Sequence, residues 1–270
     1  MSATLDTAAV SRLLGEAPVV ASEGRMFPIE TRHLEPDVGE RIEDAVARAV
    51  RQALREQTGS ILVFLPGQGE IRRVAERLAP LESERLVVAP LYGGLDRGEQ
   101  DRAVEPAPPG VRKVVLASAI AETSLTIQGV RVVIDSGLSR VPRFDPPSGL
   151  TRLATVRVSR ASADQRRGRA GRTEPGVCYR LWPEAETRGL MPSLPPEIAE
   201  ADLTGFSLDL ARWGRKDAEG LALLDPPPGG AFAEARAVLG RLGALDREGA
   251  LTSHGRRMAE LPLSPRLAHM

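Results

Sequence analysis

The sequence predicts an α/β protein, a parallel sheet with helices on both faces followed by a smaller domain of short helices. Three observations carry that expectation. Short, uniformly apolar runs recur at residues 61–65 (ILVFL), 86–89, 114–117 and 132–134, which reads as strands buried on both sides. Stretches of helical period separate them, which is how parallel strands are connected. After about Leu181 the texture changes to proline-punctuated short helices.

Taken in order, Ile42, Ala45, Val46, Ala49, Val50, Ala53 and Leu54 repeat with the spacing of one helical face, and Thr58-Gly59-Ser60 ends that helix before ILVFL. Ile71, Val74, Ala75 and Leu78 mark the next helix. Residues 140–158, with Pro142, Pro146, Pro147 and Gly149 before the partly alternating TRLATVRV, read as a protruding hairpin. Cys178 in GVCYRL reads as a small buried hydrophobe on a strand. Pro183, Pro192, Pro195 and Pro196 read as a linker. Beyond it Phe232, Ala235, Val238, Leu239 and Leu242 form one amphipathic face, and ALDREGALT is expected to supply two brief strands around Glu248-Gly249. Helices followed by a small hairpin point to a winged helix.

The chain has 270 residues, 42% of them hydrophobic, and 36 basic against 36 acidic side chains. A zero net charge means that nucleic-acid affinity must come from local basic patches. With no long apolar run and no charged-then-apolar leader, a cytoplasmic location away from membranes is expected. The three histidines, His33, His254 and His269, are far apart in sequence, so no zinc site is expected.

The chemistry concentrates in ASADQRRGRAGR, residues 161–172. Arg166, Arg167, Arg169, Arg172 and the nearby Arg160 surround a run with one acid, Asp164. Ser162 is expected to cap a helix on which Gln165, Arg169 and Arg172 fall at i, i+4 and i+7, along one face. Arginine offers a planar fork of donors that fits phosphate oxygens. Gly168 and Gly171 weaken a helix, which argues against a merely solvated basic face.

QRRGRAGR resembles motif VI of superfamily 2 helicases, and SAIAETSLTIQGV, residues 118–130, resembles the motif V of the DEAH-box branch. Collinear with them, MSATLD (1–6) resembles motif III, ILVFLPGQGEI (61–71) motif IV, and PLYGGL (90–95) the segment after it. LPPEI (194–198) and LLDPPP (223–228) are similar to the same branch, and the whole chain resembles the HrpB-type ATP-dependent helicases. The resemblance implies a RecA-like sheet followed by a winged helix of structural role, and a division into 1–18 as a remnant of a first RecA-like domain, 19–182 as the second, and 183–270 as the winged-helix region. It implies that Arg169 and Arg172 are arginine fingers on a γ-phosphate, with Gln165 and Ser124 near the attacking water and Thr126 with Gln128 near the ribose. Ser118 and Thr123 would meet the nucleic-acid strand, and Arg152 and Arg157 of the hairpin would guide it. The implied cofactor is ATP, or another NTP, with Mg2+, and the partners are single-stranded nucleic acid, RNA in the first instance, and a first RecA-like domain.

The sequence departs from the branch in places. Gln128 stands where an acid is usual, Ser118-Ala119 where Thr-Asn is usual, and Val104 near where an aromatic stacks on a base. Gly69 replaces an acid in motif IV and reads as a turn at a helix start. No Gly-Lys-Ser/Thr phosphate loop occurs, the lysines being Lys113 and Lys216, and no Asp-Glu dipeptide is present. Both features are needed to hold nucleotide and magnesium. The chain is therefore expected to be the middle portion of a longer enzyme and inactive alone. Two alternatives are a non-catalytic, nucleic-acid-binding or regulatory half-motor, and an unrelated α/β protein whose arginine helix binds a phosphorylated metabolite.

Overall fold

The computed structural model describes residues 6–21, 27–123, 125 and 127–270, and for Thr123 the backbone. They form two compact units, one of Ala21–Val141 and Ala154–Leu194, the other of Asp6–Val20, Pro142–Leu153 and Pro195–Met270. The first helix, α1 (Thr7–Leu13), belongs to the second unit and is capped by Asp6, whose Oδ1 accepts from Ala9 N at 2.9 Å.

The first unit alternates strand and helix: β1 (Ile29–His33), α2 (Ile42–Glu56), β2 (Ser60–Phe64), α3 (Gln68–Leu78), β3 (Leu86–Leu91), α4 (Arg97–Val104), β4 (Arg112–Ala117), α5 (Ile120–Thr123) and β5 (Val130–Asp135). The hairpin β6 (Leu138–Asp145) and β7 (Leu150–Arg157) follows, then α6 (Arg160–Gly168), β8 (Gly176–Arg180) and α7 (Glu184–Gly189). Six strands form one parallel sheet in the order β1-β8-β5-β2-β4-β3, and β6 and β7 pair separately.

The period-2 geometry of strands sorts this core into two layers. Ile61, Val63, Val114, Leu116, Val132 and Ile134 face α2 and α3, while Leu62, Phe64, Val115, Ala117 and Val133 face the side of Ala103 and Ala121 on α4 and α5. Alanines at Ala45, Ala49 and Ala53 let α2 lie close to the sheet. Gly59 makes the turn into β2 at φ +79°. A capping box starts α4, with Asp96 Oδ1 accepting from Glu99 N at 2.8 Å and Glu99 Oε2 accepting from Asp96 N at 3.2 Å. Lys113 is buried and spends its charge on the carbonyls of Arg102 (2.7 Å) and Glu105 (2.5 Å), tying the end of α4 to β4. That burial holds its ammonium below the ordinary lysine value.

The four expected strands are present: β3, β4 and β5 each run slightly beyond their apolar cores, and β2 has the expected length one residue earlier. β8 is the strand expected around Cys178, whose thiol burial pushes up to about 12. β1 is not visible in the sequence pattern: IETRH carries one aliphatic residue because the strand lies at the sheet edge and is only partly covered. The prolines after Leu181 do not make a free linker. Trp182 is buried with Leu190, Val158 and Ala163, and its Nε1 donates to Thr187 Oγ1 at 3.0 Å, so α7 packs into the first unit.

In the second unit α8 (Glu197–Glu200), α9 (Thr204–Arg212), α10 (Gly229–Arg241), α11 (Ser253–Glu260) and α12 (Pro265–His269) surround Leu208, Leu239, Leu245 and Met258, with Leu210, Phe232 and Ala235 in a neighbouring cluster. The buried face of α10 is Phe232, Ala235, Val238 and Leu239, as the sequence predicts. The expected pair of strands near Glu248-Gly249 is reduced to one antiparallel bridge, Leu245 to Leu251. Asp246 explains this: its Oδ1 accepts from Glu248 N (2.9 Å) and Ala250 N (2.8 Å), closing a turn where a ladder would begin. The structure also brings together two histidines distant in sequence, with His254 Nε2 3.0 Å from His269 Nδ1.

Candidate functional site

The arginine-rich segment is held by its own chain before it meets any ligand. Ser159, not Ser162, caps α6, its Oγ accepting from Ser162 N at 3.1 Å. Ser162 instead sits in the first turn and donates from Oγ to Glu122 Oε1 at 2.6 Å. The helix stops at Gly168, so Arg169 is its C-cap and Arg172 lies beyond it. The single face of Gln165, Arg169 and Arg172 is therefore not formed. Gly171 shows why the chain turns there: a Cβ would stand 2.7 Å from the Phe27 carbonyl and from Ile29, so only glycine lets the backbone lie against the start of β1.

Arg166, 1% exposed, is the residue that charge counting misread. Its Nη1 donates to Asp135 Oδ1 (2.9 Å) and Leu138 O (3.1 Å), its Nε to Glu122 Oε2 (3.0 Å), and its guanidinium lies 5.0 Å from the Phe64 ring centroid. Burial penalises the charge, but Asp135 and Glu122 outweigh it and hold the group above the ordinary arginine value. Part of the anion that this basic run requires is thus inside the protein.

Glu122 joins the two motifs. Its carboxylate takes Ser162 and Arg166, and its carbonyl accepts from Arg169 Nε at 3.0 Å and also from Arg169 Nη2. Arg169 Nη1 donates to Leu125 O at 2.6 Å. The Arg169 guanidinium is buried, and that desolvation, with the neighbouring charge of Arg172, pushes it down to about 10. It remains a cation at neutral pH, fastened to the loop after α5.

The remaining candidates sort to two edges of the sheet. Ser118 follows β4 at the carboxyl edge, its N–H donating to Leu91 O at 3.2 Å. Gln128 is exposed in the turn into β5, and Gly129 O accepts from Ser60 N at the start of β2, which places both at the amino edge. Arg172, exposed, follows Gly171 at the amino end of β1 and precedes β8. The carboxyl-edge rule for open α/β sheets therefore describes Ser118 but not Gln128 or Arg172. Motif V starts at one edge and is carried by α5 and the loop after it to the other. Ser124, Thr126 and the side chain of Thr123 lie outside the described residues.

The hairpin is present, but its arginines are not equivalent. Arg157 pairs with Glu186 and lies 5.6 Å from the Trp182 ring centroid, Arg140 pairs with Glu70 at 3.2 Å, and Arg143 is 3.7 Å from Glu200. Arg152 is exposed and in no ion pair among the described residues. Val104 packs, partly buried, against the apolar layer around Ala103. Gly69 lies inside α3, one residue past the helix start.

Among the described residues no three His, Cys, Asp or Glu side chains are grouped to hold a metal ion, and no helix is long and apolar enough to cross a membrane.

Residues 44–174 match the helicase conserved C-terminal domain, and residues 235–263 match the helicase-associated domain HA2, a winged helix. All 270 residues align at 49% identity with the ATP-dependent RNA helicase HrpB of Escherichia coli K12, covering 33% of that protein. The pre-mRNA-splicing factor ATP-dependent RNA helicase prp22 of Schizosaccharomyces pombe is 40% identical over 99% of this chain and 24% of its own length. Crystal structures of the E. coli DExH-box NTPase HrpB and of the E. coli DEAH/RHA helicase HrpB superpose over the whole chain with TM-scores of 0.91 and 0.94, both at 49% identity, the chain covering 33% and 34% of them. The chain thus spans about a third or less of the length of these relatives. With a RecA-like sheet, motif V and motif VI locked through Glu122, and an HA2 winged helix after them in the chain, the protein belongs to the DEAH-box family of superfamily 2 helicases, in its HrpB-like branch.

Proposed function

We propose that this chain is the second half of an ATP-dependent RNA helicase motor, coupling NTP hydrolysis to movement along a single strand in the cytoplasm. The observation that carries this reading is the shared placement of Arg172 and Gln128 at the amino edge of the sheet, both exposed, on a scaffold 49% identical throughout to a protein described as an ATP-dependent RNA helicase. In this reading residues 19–182 are the second RecA-like domain, 183–270 the winged-helix region and 1–18 a remnant of the first domain. The nucleotide and its Mg2+ are held mainly by that first domain, whose phosphate loop and acidic box this sequence lacks.

Arg172 stabilises the charge on the transferring γ-phosphoryl group, and Gln165 with Ser124 positions the attacking water. Arg169 has a double role: from the carbonyls of Glu122 and Leu125 it sets the loop that carries Ser124 and Thr126, and it reaches phosphate by releasing them. Gln128 and Thr126 meet the ribose; an amide donates to or accepts from a hydroxyl, where an ionised acid only accepts. Ser118, at the opposite edge, and Thr123 take backbone phosphates of the strand, and Arg152 and Arg157 of the hairpin guide it.

Two measurements test the reading. The chain alone shows no NTP hydrolysis above background. In the longer enzyme, Arg172→Lys, which keeps the charge but loses the fork, lowers RNA-stimulated hydrolysis severely, within the roughly three to five decades that loss of a finger costs, while RNA binding persists. Near-normal turnover in that variant would make Arg172 structural and favour a non-catalytic half-motor.

A further inference from the structure

The second unit carries a basic pocket that the motor chemistry does not use. A cavity of about 460 Å³ opens between the end of α9, the turn at residues 249–251 and α11. Arg212, Arg215, Lys216 and Arg256 line it, with Glu260 as the acid among the lining residues. None of these four cations is in an ion pair among the described residues. In a chain whose formal net charge is zero, this is a local positive field.

The backbone fixes where those charges point. α9 ends in a Schellman motif, with Gly214 N donating to Ala211 O at 3.0 Å and Arg215 N to Leu210 O at 2.9 Å around Gly214 at φ +77°. Arg212 Nη1 donates to Ala259 O at 3.3 Å, and Arg215 Nη2 to Glu219 O. Carbonyl partners orient a guanidinium without cancelling its charge. Between Arg212 and Gly214 stands Trp213, 72% exposed. Among the described residues this indole is left largely uncovered, in the run Arg-Trp-Gly-Arg-Lys. It is the combination that single-strand binding sites use, cations for phosphate and an aromatic face for a base.

We propose that this pocket is a single-strand nucleic-acid subsite: a backbone phosphate enters the cavity among Arg212, Arg215, Lys216 and Arg256, and the neighbouring base stacks on Trp213. The proposal rests on the single-strand part of the proposed function and is independent of its hydrolytic part. It gives the winged-helix unit a direct grip on the strand, where the family resemblance alone implies a structural role.

The two tryptophans make the test direct, because Trp182 is 1% exposed and Trp213 is 72% exposed. A short oligouridylate titrated into the chain quenches Trp213 saturably, and the same titration of Trp213→Phe gives the part of the signal that comes from Trp182, which lies under Arg157 of the hairpin. By anisotropy of a labelled strand, Trp213→Ala weakens binding about tenfold and Trp213→Phe largely restores it. Arg215→Ala with Lys216→Ala weakens binding and flattens the plot of log affinity against log salt by about 0.7 for each phosphate that is no longer neutralised. An abasic strand of the same length competes without quenching, and a duplex binds more weakly because its bases are not free to stack. If the strand binds and is weakened by Arg152→Ala, yet is indifferent to Trp213→Ala and to the Arg215/Lys216 pair, the pocket is not a subsite and the motor reading stands. Absence of any strand binding by the parent chain would overturn the subsite and the single-strand reading together.

Discussion

Arg166 Nη1 donates to Asp135 Oδ1 at 2.9 Å with both side chains buried from solvent, so one arginine of motif VI is an internal ion bridging the end of β5 to α6. Glu122 shares the same guanidinium, which makes the pair the centre of a network that also sets motif V. Removing Arg166 strands the Asp135 carboxylate without water and leaves the partly buried Glu122 without its cation. Arg166→Ala is expected to lower unfolding free energy by about 3–5 kcal/mol, read by urea denaturation. Arg166→Lys recovers part of this at most, because a single ammonium cannot reach Asp135 and Glu122 with a fork. A midpoint unchanged in Arg166→Ala would show that the network carries no stability.

Gly171 is held to the start of β1 by close approach, not by an unusual φ. Its Cβ would meet the Phe27 carbonyl and the Ile29 side chain at 2.7 Å, and a backbone carbonyl, here of the segment leading into β1, cannot yield as the end of a flexible side chain can. Gly171→Ala is therefore expected to destabilise by about 1–3 kcal/mol through overpacking. Gly189, with open space where a Cβ would go, is the control. Gly171→Ala melting no earlier than Gly189→Ala would contradict this.

The hairpin arginines divide into paired and unpaired. Arg157 is engaged by Glu186 and Trp182, whereas Arg152 is exposed and in no ion pair among the described residues. Arg152→Ala is expected to lower single-strand affinity and its salt dependence more than Arg157→Ala does, because interactions of this kind go to phosphate. Arg157→Ala should act chiefly through the packing over Trp182, visible as a shift in tryptophan emission. Equal losses of affinity in the two variants would mean that the strand displaces Glu186.

Cys178 lies in the middle of β8 with its thiol pushed up to about 12 by burial, with Asp135 adding to the shift. The thiolate is the reactive form, so a disulfide reagent at about pH 8 should label the native chain only as fast as it unfolds. One equivalent reacts promptly in denaturant. Prompt labelling without denaturant would place Cys178 at an accessible surface.

Much of the architecture is written in short-range pattern. The apolar run at 61–65, the helical period from Ile42 to Leu54 and the buried face of α10 each follow from neighbours a few residues apart, so the sequence alone determines them. The same holds for the motif spacing that marks the family. β1 is the exception: an edge strand, half covered, needs little apolar content, and IETRH has no period to read. The turn at Asp246 replaces a strand pair because a single carboxylate satisfies the local amides.

What tertiary structure decided is which of the charges are buried. In QRRGRAGR the arginines are chemically alike, yet Arg166 is neutralised by Asp135 and Glu122, 31 and 44 residues away, Arg169 is tied to two carbonyls, and Arg172 alone of these three is exposed. Whether a side chain is solvated or paired depends on the partner that packing brings within a few ångströms, and Coulomb energies and desolvation change steeply over that distance. The same logic gathers Arg212, Lys216 and Arg256 around one cavity and leaves Trp213 uncovered beside them. Sequence determined the fold and the family because both are carried by local periodicity and spacing; the functional surface was decided by long-range packing, which sets the desolvation of each ion.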